Sequence, residues 1–398
     1  MSRRFASCTL VLTLLSTPVS SLDEASHAGA LTGQPSSFLE QRLIWALMDI
    51  RAGRLNDALG HANWLVEAQP DFELAQLVKA DVLSALSEPL GVFGARRGAE
   101  EKKRGLREEA QARLQRFLEA PPAGAVPAHL VRLPADIDHA VLVDTENYRL
   151  YVFKVEEGTV RRLFDFYVSI GRAGTDKRHE GDEKTPTGLY RIASYLPGER
   201  LPGMYGRGAF PLDYPNEWDR LHDRTGSGIW IHGTESERYS RPPLSSLGCV
   251  TLSNEDFLRL SEIVEVGKTP VVLSRGVRWL SAESVGAVRE TIEEAVEGWR
   301  RDWESRDTDR LLSHYSDSFR TAGMSRDSFA TRKRRVTGEK SFIEIAVKDL
   351  AIYGYPGEGA LVTVEFLQEY RSNSFNDARR KRQYWRREAG NWRIVYES

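Results

Sequence analysis

Two stretches of this chain bring together residue types able to perform nucleophilic catalysis. Cys249, one of two cysteines, sits in SSLGCVTL, and seventeen residues earlier His232 stands before Gly233 in GIWIHGT. A free thiol with a pKa of about 8.5 is only slightly ionised at neutral pH, so a nucleophilic cysteine needs a base or cation beside it. Histidine is the side chain whose own pKa lies in the useful range. An imidazolium contact in a partly dry cleft could lower the thiol by about two units, roughly 2.7 kcal/mol. The chemistry this pair predicts is acyl transfer, with Cys249 attacking a carbonyl and His232 taking the thiol proton.

The neighbouring residues fit such a step. Ser246, Leu247 and Gly248 read as a tight turn in which the glycine frees the backbone. The amides of Leu247, Gly248 and Cys249 are expected to converge on the developing oxyanion, where losing one donor typically costs about 2.7 to 4 kcal/mol. Gly233 leaves a backbone carbonyl free to orient the imidazole. Arg207, Arg220, Arg224 and Arg241, in the loops around the pair, and Asn254 are the candidates for holding substrate.

The elements that must position these residues form a mainly β domain over residues 137–275. Ala140 to Val143 and Leu150 to Phe153 flank a turn, Asp144 to Asn147, and read as a hairpin. Further short β runs fall at Phe164 to Ile170, Leu189 to Ser194, Gly228 to Ile231 and Pro270 to Leu273. Ahead of this domain, residues 38–119 read as helical, with Leu43, Leu47, Ile50 and Leu55 at helical spacing. Ala46, Gly53, Ala58 and Pro70 resemble one tetratricopeptide repeat, and Pro89 and Gly91 interrupt a second. One repeat cannot bury its own faces, so the helical region should pack on the next domain or, in a homodimer, on a second subunit. Residues 120–136, rich in proline and alanine, suit an extended linker.

A third unit spans 282–398. Val288, Ile292, Ala295, Val296, Trp299 and Trp303 mark one face of a helix, and Thr308 to Tyr315 suggests another. Alternating strands follow, the last pair folding back about Gly390 and Asn391. Helices followed by a curved antiparallel sheet predict an α+β plan that resembles the cone-shaped nuclear-transport-factor-like (SnoaL-like) fold.

Arg3 and Arg4 precede an apolar run, Phe5 to Leu15, and small residues follow to Ser21. Residues 1–21 therefore read as a signal peptide that sends the protein to the periplasm and removes Cys8. The run is too short to cross a bilayer, which takes about 20 residues, and no later segment is apolar enough for a membrane span. Cys249 is left without a partner in an oxidising compartment. A net charge of -2 gives no reason to expect nucleic acid as a partner. His139, His179, His222 and His314 are scattered and GRAG at Gly171 to Gly174 is too short for a phosphate loop, so no metal or cofactor is expected. Asp182 and Glu183 read as loop charges. Arg379, Arg380, Lys381, Arg382, Arg386 and Arg387 among Tyr384, Trp385 and Trp392 read as a solvated strand face or as an electropositive aromatic concavity for glycan or stem peptide. The basic run Arg332 to Arg335 fits either account.

His232-Gly233, Ser246 to Val250 and the upstream TPTG at Thr185 to Gly188 together resemble the L,D-transpeptidase (YkuD-type) catalytic domain over roughly residues 138–274. The resemblance implies a β-rich sandwich acting on peptidoglycan stem peptides. Cys249 would attack the carbonyl at position three of a tetrapeptide, expelling the terminal D-alanine through a thioester acyl-enzyme, with His232 as base and then acid. An amine acceptor gives transpeptidation; water gives a trimmed tripeptide. Two positions depart from the common family pattern: Leu247 replaces a histidine and Thr251 an arginine, which puts the holding of the substrate carboxylate in doubt. The GCVTLSN spelling, FPLDYPNEWDR at Phe210 to Arg220 and the order of domains are similar to the cell-shape-determining L,D-carboxypeptidases of helical bacteria. Against these enzymatic readings stands a non-catalytic scaffold that only binds the cell wall.

Overall fold

A computed structural model of the chain describes residues 38–87, 100–321 and 323–398. The expected signal peptide with Cys8, and the interruption at Pro89 and Gly91, lie outside the described residues. Among the described residues no helix is long and apolar enough to cross a membrane.

Four helices, Phe38–Arg51, Leu55–Ala68, Glu73–Ser87 and Glu100–Leu118, make the first unit. The first two form a hairpin that turns at Gly53, whose φ of +75° suits a glycine. Leu43, Ala46, Leu47 and Ile50 meet Ala58, Ala62 and Leu65 in the core, and the alanines let the helices approach closely. Tyr239 of the β domain completes this core. The helical unit thus rests on its neighbour within the chain, the first of the two arrangements that its small size predicts.

The β domain is built on a five-stranded sheet ordered Thr159–Tyr167, Arg149–Glu156, His139–Asp144, Pro270–Ser274, Gly188–Arg191. The hairpin pairs Val143 with Leu150. Side chains alternate between faces along a strand. Val141, Val143, Leu150, Val152, Val271 and Leu273 enter the domain's own core. Ala140, Leu142, Tyr151, Phe153, Leu189 and Val272 enter a second core shared with the C-terminal domain. Neither face is wetted, which is why these strands are apolar throughout instead of alternating with polar residues. Across the first core lies a four-stranded sheet ordered Val250–Thr251, Trp230–His232, Gly208–Pro211, Leu196–Pro197.

The C-terminal domain packs helices Ala282–Glu304, Thr308–Ser313 and Arg326–Gly338 on a seven-stranded sheet. Its first helix buries Val285, Ile292, Val296, Trp299 and Trp303. Val288, expected on that face, is 37% exposed. The last hairpin joins Asn376–Glu388 to Asn391–Glu397 through Ala389 and Gly390, both at positive φ, one residue earlier than the sequence suggests.

Two expectations need correction. Residues 120–136 are more than a linker: Leu130–Arg132 is an edge strand of the C-terminal sheet, paired with Ile343–Gly354, and Val126–Pro127 pairs with Trp279–Leu280. Burial of Leu130, Val131 and Leu133 drives this, since a solvated connector would leave all three in water. The basic strand is also only in part a solvated face: Arg379, Arg380 and Arg387 are exposed, whereas Lys381, Arg382 and Arg386 are engaged. Arg382 pairs with Glu365 at 2.7 Å and with Glu217 of the β domain, and Arg386 pairs with Glu358 at 3.3 Å. Lys381 turns inward to Glu397 at 2.6 Å. The FPLDYPNEWDR segment is the docking partner: Asn216 and Asp219 cap the helix Glu217–Leu221 reciprocally, and Trp218 stacks on Tyr384 at 4.7 Å.

Candidate active site

Strands Trp230–His232 and Val250–Thr251 run parallel, with Ile231 opposite Val250 and His232 opposite Thr251. Ile231 and Val250 are fully buried in the core. By alternation His232 and Thr251 point to the other face, and continuing the register sets Cys249 opposite Trp230, on that same face. Cys249 and His232 are therefore diagonal neighbours on paired strands, a separation that ring side chains bridge. Cys249 is half-buried, its Sγ donating to the carbonyl of Gly228 at 3.4 Å.

His232 is 2% exposed. Its Nδ1 lies 2.6 Å from the carbonyl oxygen of Gly233 and its Nε2 lies 3.3 Å from Thr251 Oγ1. Burial, chiefly, pushes the imidazole down to about 4, with the Arg241 charge acting the same way and the Gly233 bond opposing. Burial also pushes the Cys249 thiol up, against the Trp230 amide and the cations Arg241 and Lys177. The resting pair is accordingly a neutral thiol beside a neutral imidazole, not the ion pair that the residue types suggest. A dry face penalises both charges.

The turn before the sulfur needs its glycine. Gly248 has φ +124°, and a Cβ there would lie 2.8 Å from the carbonyl oxygen of Lys184. Its N–H donates to Ser246 Oγ at 3.1 Å, and Ser246 Oγ donates to the carbonyl of Cys249 at 2.6 Å. The Gly248 amide is thus occupied within the turn and does not face an oxyanion. Leu247 is 63% exposed at the tip. Gly233 is equally constrained, since a Cβ would lie 2.3 Å from Asn254 Oδ1.

The candidate substrate-binding residues separate. Asn254 spends both polar ends on the backbone, accepting from the Arg207 amide at 2.9 Å and donating to the Thr234 carbonyl at 2.8 Å. Arg224 is committed to Asp219 at 2.9 Å. Arg220 folds back on the carbonyl of Pro215, in the segment that docks the C-terminal domain. These three belong to the scaffold. Arg207 is exposed. Arg241 is buried, donating to Thr234 Oγ1 at 3.1 Å, Glu235 Oε2 at 2.9 Å and the Met204 carbonyl at 2.9 Å.

Sequence reasoning missed Tyr205 and Lys177, and named Thr251 and Thr185 without their contacts at the site. Thr251 meets the imidazole directly. Tyr205 sets its ring edge on His232 at 5.0 Å. Lys177, 4% exposed and paired with Asp182 at 2.7 Å, adds a positive charge that opposes the rise of the thiol's pKa. Thr185, from the TPTG stretch, donates to the Gly248 carbonyl at 3.0 Å and accepts from the Gly171 amide at 2.9 Å, which ties that motif to the turn. Two cavities lie elsewhere. One of about 750 Å³ is lined by Glu304, Glu344, Glu369 and Asp377 with Arg371, and one of about 670 Å³ lies between the domains; neither includes Cys249 or His232.

Two stretches of the chain match known domain models. Residues 138–273 match the L,D-transpeptidase catalytic domain, YkuD, and residues 291–398 match the Cds6 C-terminal NTF2-like domain. The chain is 28% identical over 234 residues to the probable L,D-transpeptidase ErfK/SrfK of Salmonella typhimurium, covering 55% of this chain and 70% of that protein. Among solved structures it is similar to Bd1075 of Bdellovibrio bacteriovorus, with 26% identity and a TM-score of 0.61 over 69% of this chain and 97% of that one. It is also similar to the helical cell shape determining protein Pgp2 of Campylobacter jejuni, with 26% identity and a TM-score of 0.58 over 68% of this chain and 95% of that one.

Proposed function

We propose that this chain, which carries an L,D-transpeptidase-family catalytic domain followed by an NTF2-like domain, is a periplasmic cysteine acyl-transfer enzyme of peptidoglycan stem peptides. The observation that carries the reading is the parallel register that puts His232 and Cys249 on one strand face, with Nδ1 of the ring bound to a carbonyl.

In the proposed reaction the Cys249 sulfur bonds to the carbonyl carbon at position three of a tetrapeptide stem while its proton passes to His232 Nε2. The tetrahedral oxyanion then collapses, the bond to the terminal D-alanine breaks, and the leaving amine takes that proton. A thioester remains. An amine or water attacks it, gives a proton to Nε2, and the thiol leaves with that proton, restoring the resting pair. Oxyanion donors are sought in the amides of Leu247 and Cys249, because that of Gly248 is engaged by Ser246. Arg207, which is exposed, remains the arginine proposed to act on substrate, and the C-terminal domain is proposed to help place glycan or stem peptide.

A second reading has its own support. The similarity to a helical cell shape determining protein extends over 95% of that protein's length and 68% of this chain, a longer stretch than the catalytic domain alone. This favours water as acceptor, that is, trimming of tetrapeptides to tripeptides in cell-shape control. Incubation of the purified protein with tetrapeptide muropeptides and mass analysis tests both: loss of D-alanine gives the carboxypeptidase, joined stems the transpeptidase. Unchanged masses would favour the wall-binding scaffold. Cys249→Ala should abolish either conversion, and unaltered turnover would remove the proposed nucleophile.

A further inference from the structure

Four consecutive residues ahead of the Cys249 turn are held at the seam of the helical and β domains. The Tyr239 ring enters the helical core 4.6 Å from Phe72, and its amide donates to the Asp71 carbonyl at 3.4 Å. Ser240 Oγ donates to Glu109 Oε1 at 2.7 Å. The Arg241 carbonyl accepts from Tyr167 Oη and Ser169 Oγ, both at 2.9 Å, and the Arg113 guanidinium covers the Tyr167 ring at 4.0 Å. Pro242 packs where Gly105 has no side chain, for a Cβ there would come within 2.9 Å of it.

The groups doing the holding are themselves fixed. Arg113 donates to Glu109 at 2.9 Å and to Glu40 at 2.9 Å; Arg149 donates to Glu40 at 2.7 Å and to Asp165 at 2.8 Å; Arg116 donates to Asp165 at 2.6 Å. Three carboxylates and three guanidinium groups, none more than 8% exposed, join two helices of the first domain to two strands of the β domain. Such a buried network has one good arrangement, because any shift strands a charge.

From this clasp the Arg241 side chain runs toward the site. It braces Thr234, two residues after His232, and the carbonyl of Met204, whose neighbour Tyr205 contacts the imidazole. On the other side the Pro243 carbonyl accepts from Ile170 at 2.8 Å, and the chain continues into Leu244–Ser246 and the Cys249 turn.

We propose that the helical domain is a positioning element of the catalytic site, and that Tyr239 and Arg241 are positioning residues through which its packing sets the relation of His232 to Cys249. The proposal rests on the reading of those two as base and nucleophile. Helix packing is rigid, so a displaced clasp moves the loops on both sides of the imidazole together. The charged groups whose fields reach the pair are Arg241 and Glu235 at His232, and Arg241 and Lys177 at Cys249.

The test compares Tyr239→Ala with Tyr239→Phe, which keeps the ring on Phe72. Turnover of a tetrapeptide muropeptide is measured together with the pH dependence of Cys249 alkylation by iodoacetamide, read by mass on the Cys249 peptide. Tyr239→Ala should lower kcat on the order of 10 to 100-fold with KM little changed. Its alkylation midpoint should move to higher pH as Arg241 leaves the thiol, while Tyr239→Phe retains the wild-type midpoint. A kcat that falls only with the folded fraction, at an unchanged midpoint, would reduce the clasp to a stability device and overturn the proposal. Should Tyr239→Ala not fold, Ser240→Ala decides in its place by the same midpoint, moved or unmoved. Because alkylation needs no substrate, failure of the clasp stays distinct from failure of the acyl-transfer reading, which Cys249→Ala tests separately.

Discussion

His232 Nδ1 lies 2.6 Å from the carbonyl oxygen of Gly233, and because a carbonyl only accepts, this bond puts the proton of the neutral ring on Nδ1. Nε2 is left with its lone pair toward Thr251 and the face shared with Cys249. The tautomer needed for a base is therefore set by the backbone of the next residue, with no carboxylate required.

The first prediction concerns pH. A histidine lowered to about 4 stays neutral, and so able to take a proton, as the medium is acidified well below the ordinary range. The acid limb of kcat/KM should have its midpoint near 4, as that parameter reports the free enzyme. The raised thiol should alkylate with a midpoint above the ordinary cysteine value. An acid limb between pH 6 and 7, or a thiol already ionised at pH 6, would restore the ion pair and contradict the neutral resting state.

Gly248→Ala should disable the turn. The residue sits at φ +124° with a backbone oxygen 2.8 Å from any added Cβ, so an alanine forces the chain to move. A cost above about 1 kcal/mol is expected, together with a fall in kcat on the order of 100-fold from the displaced sulfur. Thermal unfolding and muropeptide turnover read the two effects, and a variant with wild-type values in both would show the turn to be tolerant.

Trp218→Ala should uncouple the C-terminal domain. The indole stacks on Tyr384 at 4.7 Å and is 2% exposed at the junction of the two domains. Truncating a buried tryptophan costs about 3 to 5 kcal/mol, and here the loss falls on the interface. Calorimetry should show the transition shared by these two domains in the wild type split into two in the variant; one cooperative transition at the wild-type temperature would refute a coupling role.

His129 offers a pH test of stability away from the site. Burial, with Arg278 adding to it, lowers this histidine to about 4, below the 6.5 of an unfolded chain. Between those values the unfolded chain binds the proton and the folded one does not, so stability is lost as pH falls from 6.5 toward 4. Relative to His129→Gln, the wild type should lose up to about 3 kcal/mol over that interval. Urea unfolding at pH 7 and pH 4.5 measures the difference, and parallel curves for the two proteins would contradict the shift.

Local pattern made much of this molecule legible. The hairpin of Val143 and Leu150 follows from β-branched and aromatic residues around a polar turn, and the helix carrying Trp299 and Trp303 from its apolar stripe. His232 and Cys249 stood out through residue type, since an unpaired thiol beyond a strand-end histidine has a definite chemistry. What pattern could not supply was burial. Leu130 looked like part of a connector because its partner strand, Ile343–Gly354, lies more than two hundred residues away. Arg382 looked like a solvated charge because nothing nearby in sequence announces Glu217. Asn254 and Arg224 looked available to a ligand for the same reason, until their partners were in place.

The sequence alone determined which groups can react, a thiol and an imidazole, and that glycines, Gly233 and Gly248, stand beside them. Tertiary structure decided their charge state and their support. A pKa depends on how much water and which distant charges surround a group. Only the packed chain lets the charges of Arg241 and Lys177 act on the thiol, dries the imidazole, and ties the loop between His232 and Cys249 to a helical domain more than a hundred residues earlier.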